Sequence, residues 1–410
     1  MASVLETIDP ARIGAALVDA RNASGITQAD AAKRLGVSRP TLVAIEKGQR
    51  RVRAEELVTL ADAYGRSVSS FVREEEKTFD LRPHLRAVAT RHGSDNVEVL
   101  EAIAALQNFA TDYHRLETLL KLPLATNYPP VVKLRSATEA ADKAEYTAVA
   151  ERHRLNLGDQ PVIHLRSVLE LEVGLRVIYE DLPPRIAGMF AFAENFGGVI
   201  AVNAKHPPER RRATLLHEYG HLLTDREKPG IDYTESHTSK PAGERFADTF
   251  AMAFLMPETS IRRMFQQIID DKEDFQIADL CRMSHYFFVS VEAMAIRLES
   301  LGLVPKGVRE YLKGSRFKVR AATSELGLTE QPVENRRFPD RYVSLAVQAY
   351  DRGLISESEF AGLLRCDRVE ARRIAEAELQ KLHSVSEDGE QQMLLFEAAG
   401  SQSLIQRKGT

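Results

Sequence analysis

Apolar positions recur three and four residues apart over most of the chain and alternate or run together only in its middle, so the pattern predicts a mainly helical protein with one small sheet. From Pro10 to about Phe71 four short helical patterns are joined by tight turns, and the acidic run Glu74 to Glu76 marks a boundary after them. Ser94 is a good N-cap for a long helix to about Lys121, with Val97, Leu100, Ile103, Leu106, Phe109 and Leu116 near helical spacing. The three prolines of Leu122 to Pro130 predict a rigid, extended connector. A helix from about Ser136 to Leu155 and an apolar one around Val162 to Leu171 are followed by the strand-like runs LRVIYED, AGMFAFAE and GGVIAVN. Helical patterns around Glu209 to Leu223 and Pro241 to Phe254 come next, an order that reads as a small sheet with helices on one side, an α+β domain. After Ser260 the chain is helical again through about Leu301, and Pro332 to about His383 form a last helical patch.

The fold class expected is therefore multidomain and mainly α with a central α+β part. A chain of 410 residues exceeds one ordinary core, and the pattern divides it into six segments. Residues 1–76 form a helix-turn-helix domain, 77–130 a helical linker, 131–259 the domain of the small sheet, 260–328 a helix-turn-helix-like helical subdomain, 329–383 a C-terminal helical domain, and 384–410 a polar, disordered tail apart from the apolar island MLLFEAA. The two cysteines, Cys281 and Cys366, stand too far apart for a CxxC pair, which argues against a disulfide scaffold and a thiolate zinc finger and suits a reducing cytoplasm. The first residues lack the basic-then-apolar pattern of a signal peptide, and no apolar run is long enough to span a bilayer, so a cytoplasmic protein without a membrane partner is expected.

A net charge of −4 gives no global reason to bind nucleic acid, so a DNA site has to come from local charge placement. Thr27 to Ile45 carries it. Small Ala32 lets two helices approach, Gly36 supplies the turn, and Ala31, Leu35, Val37, Leu42 and Ile45 face inward. Ser38 caps the second helix, with Pro40 tolerated in its first turn. Between Ala31 and Arg53 seven basic residues, Arg51 among them, stand against Glu46 alone, a net +6 suited to phosphate. From about Arg12 to Phe71 this segment resembles the Cro/cI-type helix-turn-helix family. The resemblance implies backbone contacts from Gln28, Ser38 and Lys47, groove-facing Arg39, Thr41 and Ala44, a buried Arg21–Glu46 ion pair, and a homodimer on paired half-sites of double-stranded operator DNA.

The sharpest signal is RRRATLLHEYGHLLTD, where His217, Glu218 and His221 form HExxH inside an apolar helical pattern. Four-residue spacing puts both imidazoles on one helical face, able to grip one ion, while Glu218 beside the first of them serves as general base. The following helix, GERFADTFAMAFLMP, offers Glu244 as third ligand and, one turn on, Asp248 to accept the other N–H of His217. Two imidazoles and a carboxylate suit Zn2+ best, with Mn2+ as the alternative. An oxyanion-stabilising donor would come from Tyr233 or His237 in the polar loop IDYTESHTSKPAG.

From about Tyr146 to Leu303 the chain resembles the ImmA/IrrE metallopeptidases, on GGVIAVN, PPERRRATLLHEYGH, the ExxADxFAxxFLMP helix and FFVSVEAMAIRLESLGLV. The resemblance implies a zincin-like core with HExxH plus a downstream Glu, cleavage of a repressor-type or toxin-linked partner in a stress or mobile-element response, and a peptide substrate added as a strand beside Gly198 to Asn203. Asp248 stands where many members carry Asn, which preserves the acceptor. Two functions remain open from the residues: a zinc-dependent peptidase that cleaves a partner regulator, or a non-catalytic repressor or antitoxin-like protein whose peptidase fold senses a ligand or binds a partner. They differ at Glu218.

Overall fold

The structure, a computed structural model, describes residues 9–23, 26–64, 68, 71, 80–91, 97–233, 241–314, 325–328, 331, 334–385 and 391–393. The chain divides into two compact units, Met1–Thr78 and Phe79–Thr410.

The smaller unit contains α1 (Pro10–Ala23), α2 (Gln28–Leu35), α3 (Arg39–Glu46) and α4 (Ala54–Tyr64). Local chemistry sets the two ends of the turn between α2 and α3. Gly36 ends α2 in the left-handed region at φ 71°, and the Ser38 hydroxyl accepts the Thr41 N–H to start α3. Ala31, Ala32, Leu42 and Ile45 are buried with Leu17, Leu57 and Leu60, while Leu35 and Val37 pack at the margin. Gly14 lets α1 cross the end of α3 closely, since a Cβ there would lie 2.5 Å from the Glu46 carbonyl oxygen.

In the larger unit α5 (Arg82–Arg91), α6 (Val97–Leu120), α7 (Ala137–Arg154) and the short α8 (Leu165–Val168) precede β1 (Arg176–Glu180), β2 (Ile186–Ala193) and β3 (Gly197–Asn203). Then come α9 (Pro208–Asp225), β4 (Gly230–Tyr233), α10 (Ala242–Leu255), α11 (Glu258–Lys272), α12 (Ile277–Tyr286), α13 (Val291–Ser300) and α14 (Val308–Gly314). The chain returns through α15 (Asp340–Asp351), α16 (Glu357–Leu364) and α17 (Arg368–Leu382). The sheet order is β1-β3-β2-β4, with β1 parallel to β3 and the other pairs antiparallel.

The sheet is covered on both faces, not on one as expected. Val177, Tyr179, Phe190, Ile200 and Val202 share a core with α7, α9 and α10. The alternate residues Ile178, Met189, Ala191, Val199 and Ala201 share another with α6 and α15 to α17. Burial on both sides is the physical reason these strands read as near-continuous apolar runs. The segment 77–130 is accordingly not a helical linker: α6 buries eleven residues, among them Phe109 and Tyr113, which pack on Phe338 and Tyr342 from the end of the chain. Arg341 meets Glu117 at 2.7 Å, Arg115 meets Glu359 at 2.8 Å and Arg365 meets Glu180 of β1 at 2.8 Å. The C-terminal helices thus complete the sheet's second layer instead of forming a core of their own.

Three smaller expectations are also corrected. Gly230–Tyr233 lies in β4 and not in a loop. β3 is paired with β1 on one side and β2 on the other, so its ladder groups are occupied and no peptide can add beside Gly198 to Asn203. In the tail, His383–Val385 and Gln391–Met393 pair as two short strands, β5 and β6, and the rest of 384–410 lies outside the described residues. The helix-turn-helix outline of α12 and α13 is present, with Ser290 capping α13, but Met283, Phe287, Val289, Met294 and Leu298 are buried in the first core. Arg297, the one basic residue on α13, is buried against the Met256 carbonyl and Glu145. This unit packs and does not present a basic face.

Candidate functional site

Helix α9 is buried on nearly every side, between the sheet and α10. Gly220 permits the close crossing: a Cβ there would stand 2.8 Å from Ala247 Cα. With the two helices this near, the first turn of α10 lies over the middle of α9, and four side chains converge. His217 Nε2 and His221 Nε2 are 3.1 Å apart. Glu244 Oε2 lies 3.4 Å from His217 Nε2, and Glu244 Oε1 lies 3.5 Å from His221 Nε2. Asp248 Oδ1 sits 3.0 Å from Nδ1 of His217, the nitrogen turned away from the cluster.

These separations test the fit of a metal. Bonds of about 2.0–2.1 Å in a tetrahedron place neighbouring donor atoms roughly 3.3–3.4 Å apart, which is the spacing found. His217, His221 and Glu244 are the one group among the described residues whose donor atoms converge in this way. The groups of the cluster also shift one another's protonation. Burial opposes the charged form of His217, but hydrogen bonds to Asp248 and Glu244 outweigh it and raise its pKa well above the ordinary imidazole value. Burial and the adjacent His217 lower His221 to about 4, and the hydrogen bond from His217 holds Glu244 below the usual carboxylate value. Two imidazoles whose lone pairs face one another cannot both be protonated, and a cation satisfies both.

Glu218 is fully buried, and neither carboxylate oxygen has a hydrogen-bond partner among the described residues. Burial pushes its pKa well up, and the charges of Asp232 and Glu244 add to the effect. Its carboxylate fits against the sheet at Gly188, where a Cβ would lie 2.6 Å from Oε1. Sequence reasoning missed both Gly188 and Asp232. The two are cross-strand partners, so they share the face of the sheet that looks toward Glu218. The apolar-polar-apolar triplet Ile231-Asp232-Tyr233 carried the strand signal, hidden in an otherwise polar stretch.

The same alternation corrects one oxyanion candidate. Tyr233 follows Ile231 into the second core, on the opposite face of β4 from Asp232, so it does not stand over the metal cluster. The other candidate, His237, lies outside the described residues. Tyr219, inside the HExxH turn, is buried and donates to Glu151.

In the small unit Ser38, Arg39, Lys47 and Arg51 are exposed, and Thr41 and Ala44 are half-buried on the same short helix and its edges. Ser38 serves α3 as its cap. The Gln28 amide engages Glu46 at 2.8 Å and Arg39 at 3.3 Å, linking the base of α2 to the first residue of α3. The ion pair implied between Arg21 and Glu46 is present at 2.6 Å and buried. Of the seven basic residues, Arg50 is held by Glu56 in a paired hydrogen bond and Arg34 donates to the Ala63 carbonyl.

Residues 171–299 match the family model of the IrrE N-terminal-like domain, a metallopeptidase family, and residues 17–71 match that of a helix-turn-helix domain. No curated protein matches the chain. The chain thus joins a DNA-binding helix-turn-helix domain to a peptidase-type domain, and no helix among the described residues is long and apolar enough to cross a membrane.

Proposed function

We propose that this DNA-binding regulator hydrolyses a peptide bond in a partner protein at the His217–His221–Glu244 cluster, with Zn2+ as its metal and Mn2+ as the alternative. The observation that carries the reading is the spacing of the three donor atoms, 3.1–3.5 Å apart, beside a buried carboxylate with no other partner among the described residues. Bound zinc would supply Lewis acidity and lower the pKa of a water toward neutrality. Asp248 fixes the ring of His217 with Nε2 toward the cluster. Glu218 takes a proton from the attacking water on its carboxylate and returns it to the departing amine, and its burial makes that carboxylate a stronger base than one in water. At the other end of the chain Arg39, Thr41 and Ala44 face the groove of an operator, Ser38, Lys47 and Arg51 meet phosphates, and Gln28 orients Arg39. Binding as a homodimer and a cytoplasmic location follow from that role.

The complete burial of Glu218 favours a second reading, a non-catalytic sensor or partner-binding module, because a base must meet water. One experiment separates them. Metal content is measured on the purified chain, and new protein N-termini are mapped by mass spectrometry in cells carrying wild type or Glu218→Gln. The peptidase reading expects one zinc per chain in both forms and a discrete N-terminus only with wild type. Absence of stoichiometric metal, or the same cleavage products from the variant, would sink it.

A further inference from the structure

A cavity of about 570 Å3 opens between the last turn of α6, the connector after it and the turn joining β2 to β3. None of the metal-cluster residues lines it. Phe192 on its wall is four residues along β2 from Gly188, roughly 13 Å at a strand rise of ~3.3 Å per residue. The volume is that of small-molecule sites.

The floor is charged and buried. Arg176 and Glu117 meet at 2.6 Å, with their side chains only 3% and 4% exposed. Glu117 is saturated: Oε2 accepts from Arg176, and Oε1 accepts from Arg341 at 2.7 Å and from the Leu124 N–H at 3.1 Å. Arg176 donates Nη1 to the Phe196 carbonyl and lies over the Phe196 ring at 4.0 Å, while its Nε–H is a buried donor with no acceptor among the described residues. Two guanidiniums against one carboxylate leave the floor positive, and Lys121 at the rim adds to it. Glu170, behind Arg341, does not line the cavity, and because burial pushes its carboxyl up to about 7 it carries only part of a charge near neutral pH. Glu194, on the exposed β2–β3 turn, is the remaining opposing charge. Tyr128 and Phe192, with ring centroids 5.9 Å apart, form an aromatic wall.

We propose that this cavity binds a small planar organic anion, an aromatic carboxylate or aryl phosphate, with its ring against Tyr128 and Phe192 and its charge toward Arg176 and Lys121. The wall also touches the end of the metal-bearing helix: Arg226, just past α9, lies 5.5 Å from the Tyr128 ring centre and bonds the Pro129 carbonyl, and the Val132 N–H bonds the Leu223 carbonyl at 2.7 Å. An occupant would therefore order the connector that holds α9, whether or not the metal cluster cuts peptides.

The test is calorimetric titration of the full chain with benzoate, phenyl phosphate and neutral benzamide, in EDTA so that no anion is held by a metal. At least one anion is expected to bind saturably, with benzamide at least about tenfold weaker. Lys121→Glu, at an exposed position, should weaken the anion roughly tenfold, since reversing an exposed charge acts about twice as strongly as losing a surface pair, and Lys121→Arg should retain it. Benzoate alone, or phenyl phosphate alone, would identify the anion as carboxylate or phosphate. No saturable binding of either anion, equal binding of benzamide, or indifference to Lys121→Glu would overturn the proposal.

Discussion

Gly188→Ala puts a methyl group on the face of β2 that Glu218 occupies. The new Cβ would stand 2.6 Å from Glu218 Oε1, 2.7 Å from Thr214 Cγ2 and 3.1 Å from Glu218 Cγ, all inside the contact distance of about 3.5 Å. Thr214 and Glu218 are a turn apart on α9, and α9 cannot retreat because α10 is packed on it through Gly220. Two effects on stability oppose one another. Replacing a strand glycine gains roughly 0.5–1 kcal/mol of backbone entropy, and overpacking a filled core costs about 1–3 kcal/mol. A net loss of about 1–2 kcal/mol follows, read as a lower urea midpoint. The effect on chemistry should be larger, because the carboxylate is the mobile partner and must move by about 1 Å, a displacement worth on the order of 100-fold in rate. On the proposed peptidase reading the variant should therefore keep its metal, lose about 1–2 kcal/mol of stability and form the new N-terminus in the partner protein about 100-fold more slowly. If its urea midpoint and its cleavage rate both match wild type, the glycine does not make the space for Glu218, and the reasoning fails.

Glu46→Ala leaves Arg21 buried beside an empty site, a change that costs about 3–5 kcal/mol, so operator binding in a gel-shift assay should vanish while metal content stays; intact DNA binding would contradict it. Lys47→Ala should weaken binding to every sequence alike and reduce the salt slope of log K by about 0.9, which titrations at several salt concentrations would check. Glu170 has a folded-state pKa raised by burial from 4.5 to about 7, so the stability it contributes is present below pH 4.5 and is lost as the pH climbs through 7. Glu170→Gln, which keeps an acceptor for the Tyr113 hydroxyl, should then gain on wild type in urea midpoint between pH 5 and pH 8; parallel curves would refute that assignment.

The parts of the site that sequence reasoning reached are those set within one helix. Four-residue spacing places His217 above His221, and the same spacing places Glu244 one turn before Asp248, whatever surrounds them. Ser38 and Gly36 are legible for the same reason, because a cap and a left-handed turn act on backbone groups two to four residues away. Gly188 and Asp232 were not legible. Their role depends on strand register and on which face of β2 lies under α9, and neither is written in any short window. Tyr233 failed for the matching reason, since a single residue's step along β4 turns its side chain to the opposite core.

What the residue order alone determined is therefore most of the helices and the first three strands, the turn and caps of the DNA-facing pair, the spacing of His217 and His221 along α9 and that of Glu244 and Asp248 along α10, because these rest on contacts a few residues long. Folding in three dimensions decided the rest. It brought α6 and α15 to α17, more than 200 residues apart, onto one face of the sheet through Arg341–Glu117 and Arg115–Glu359, and it made β3 an interior strand. It also carried Glu244 to within 3.5 Å of two imidazoles on another helix, a distance that depends on how closely Gly220 lets that helix approach.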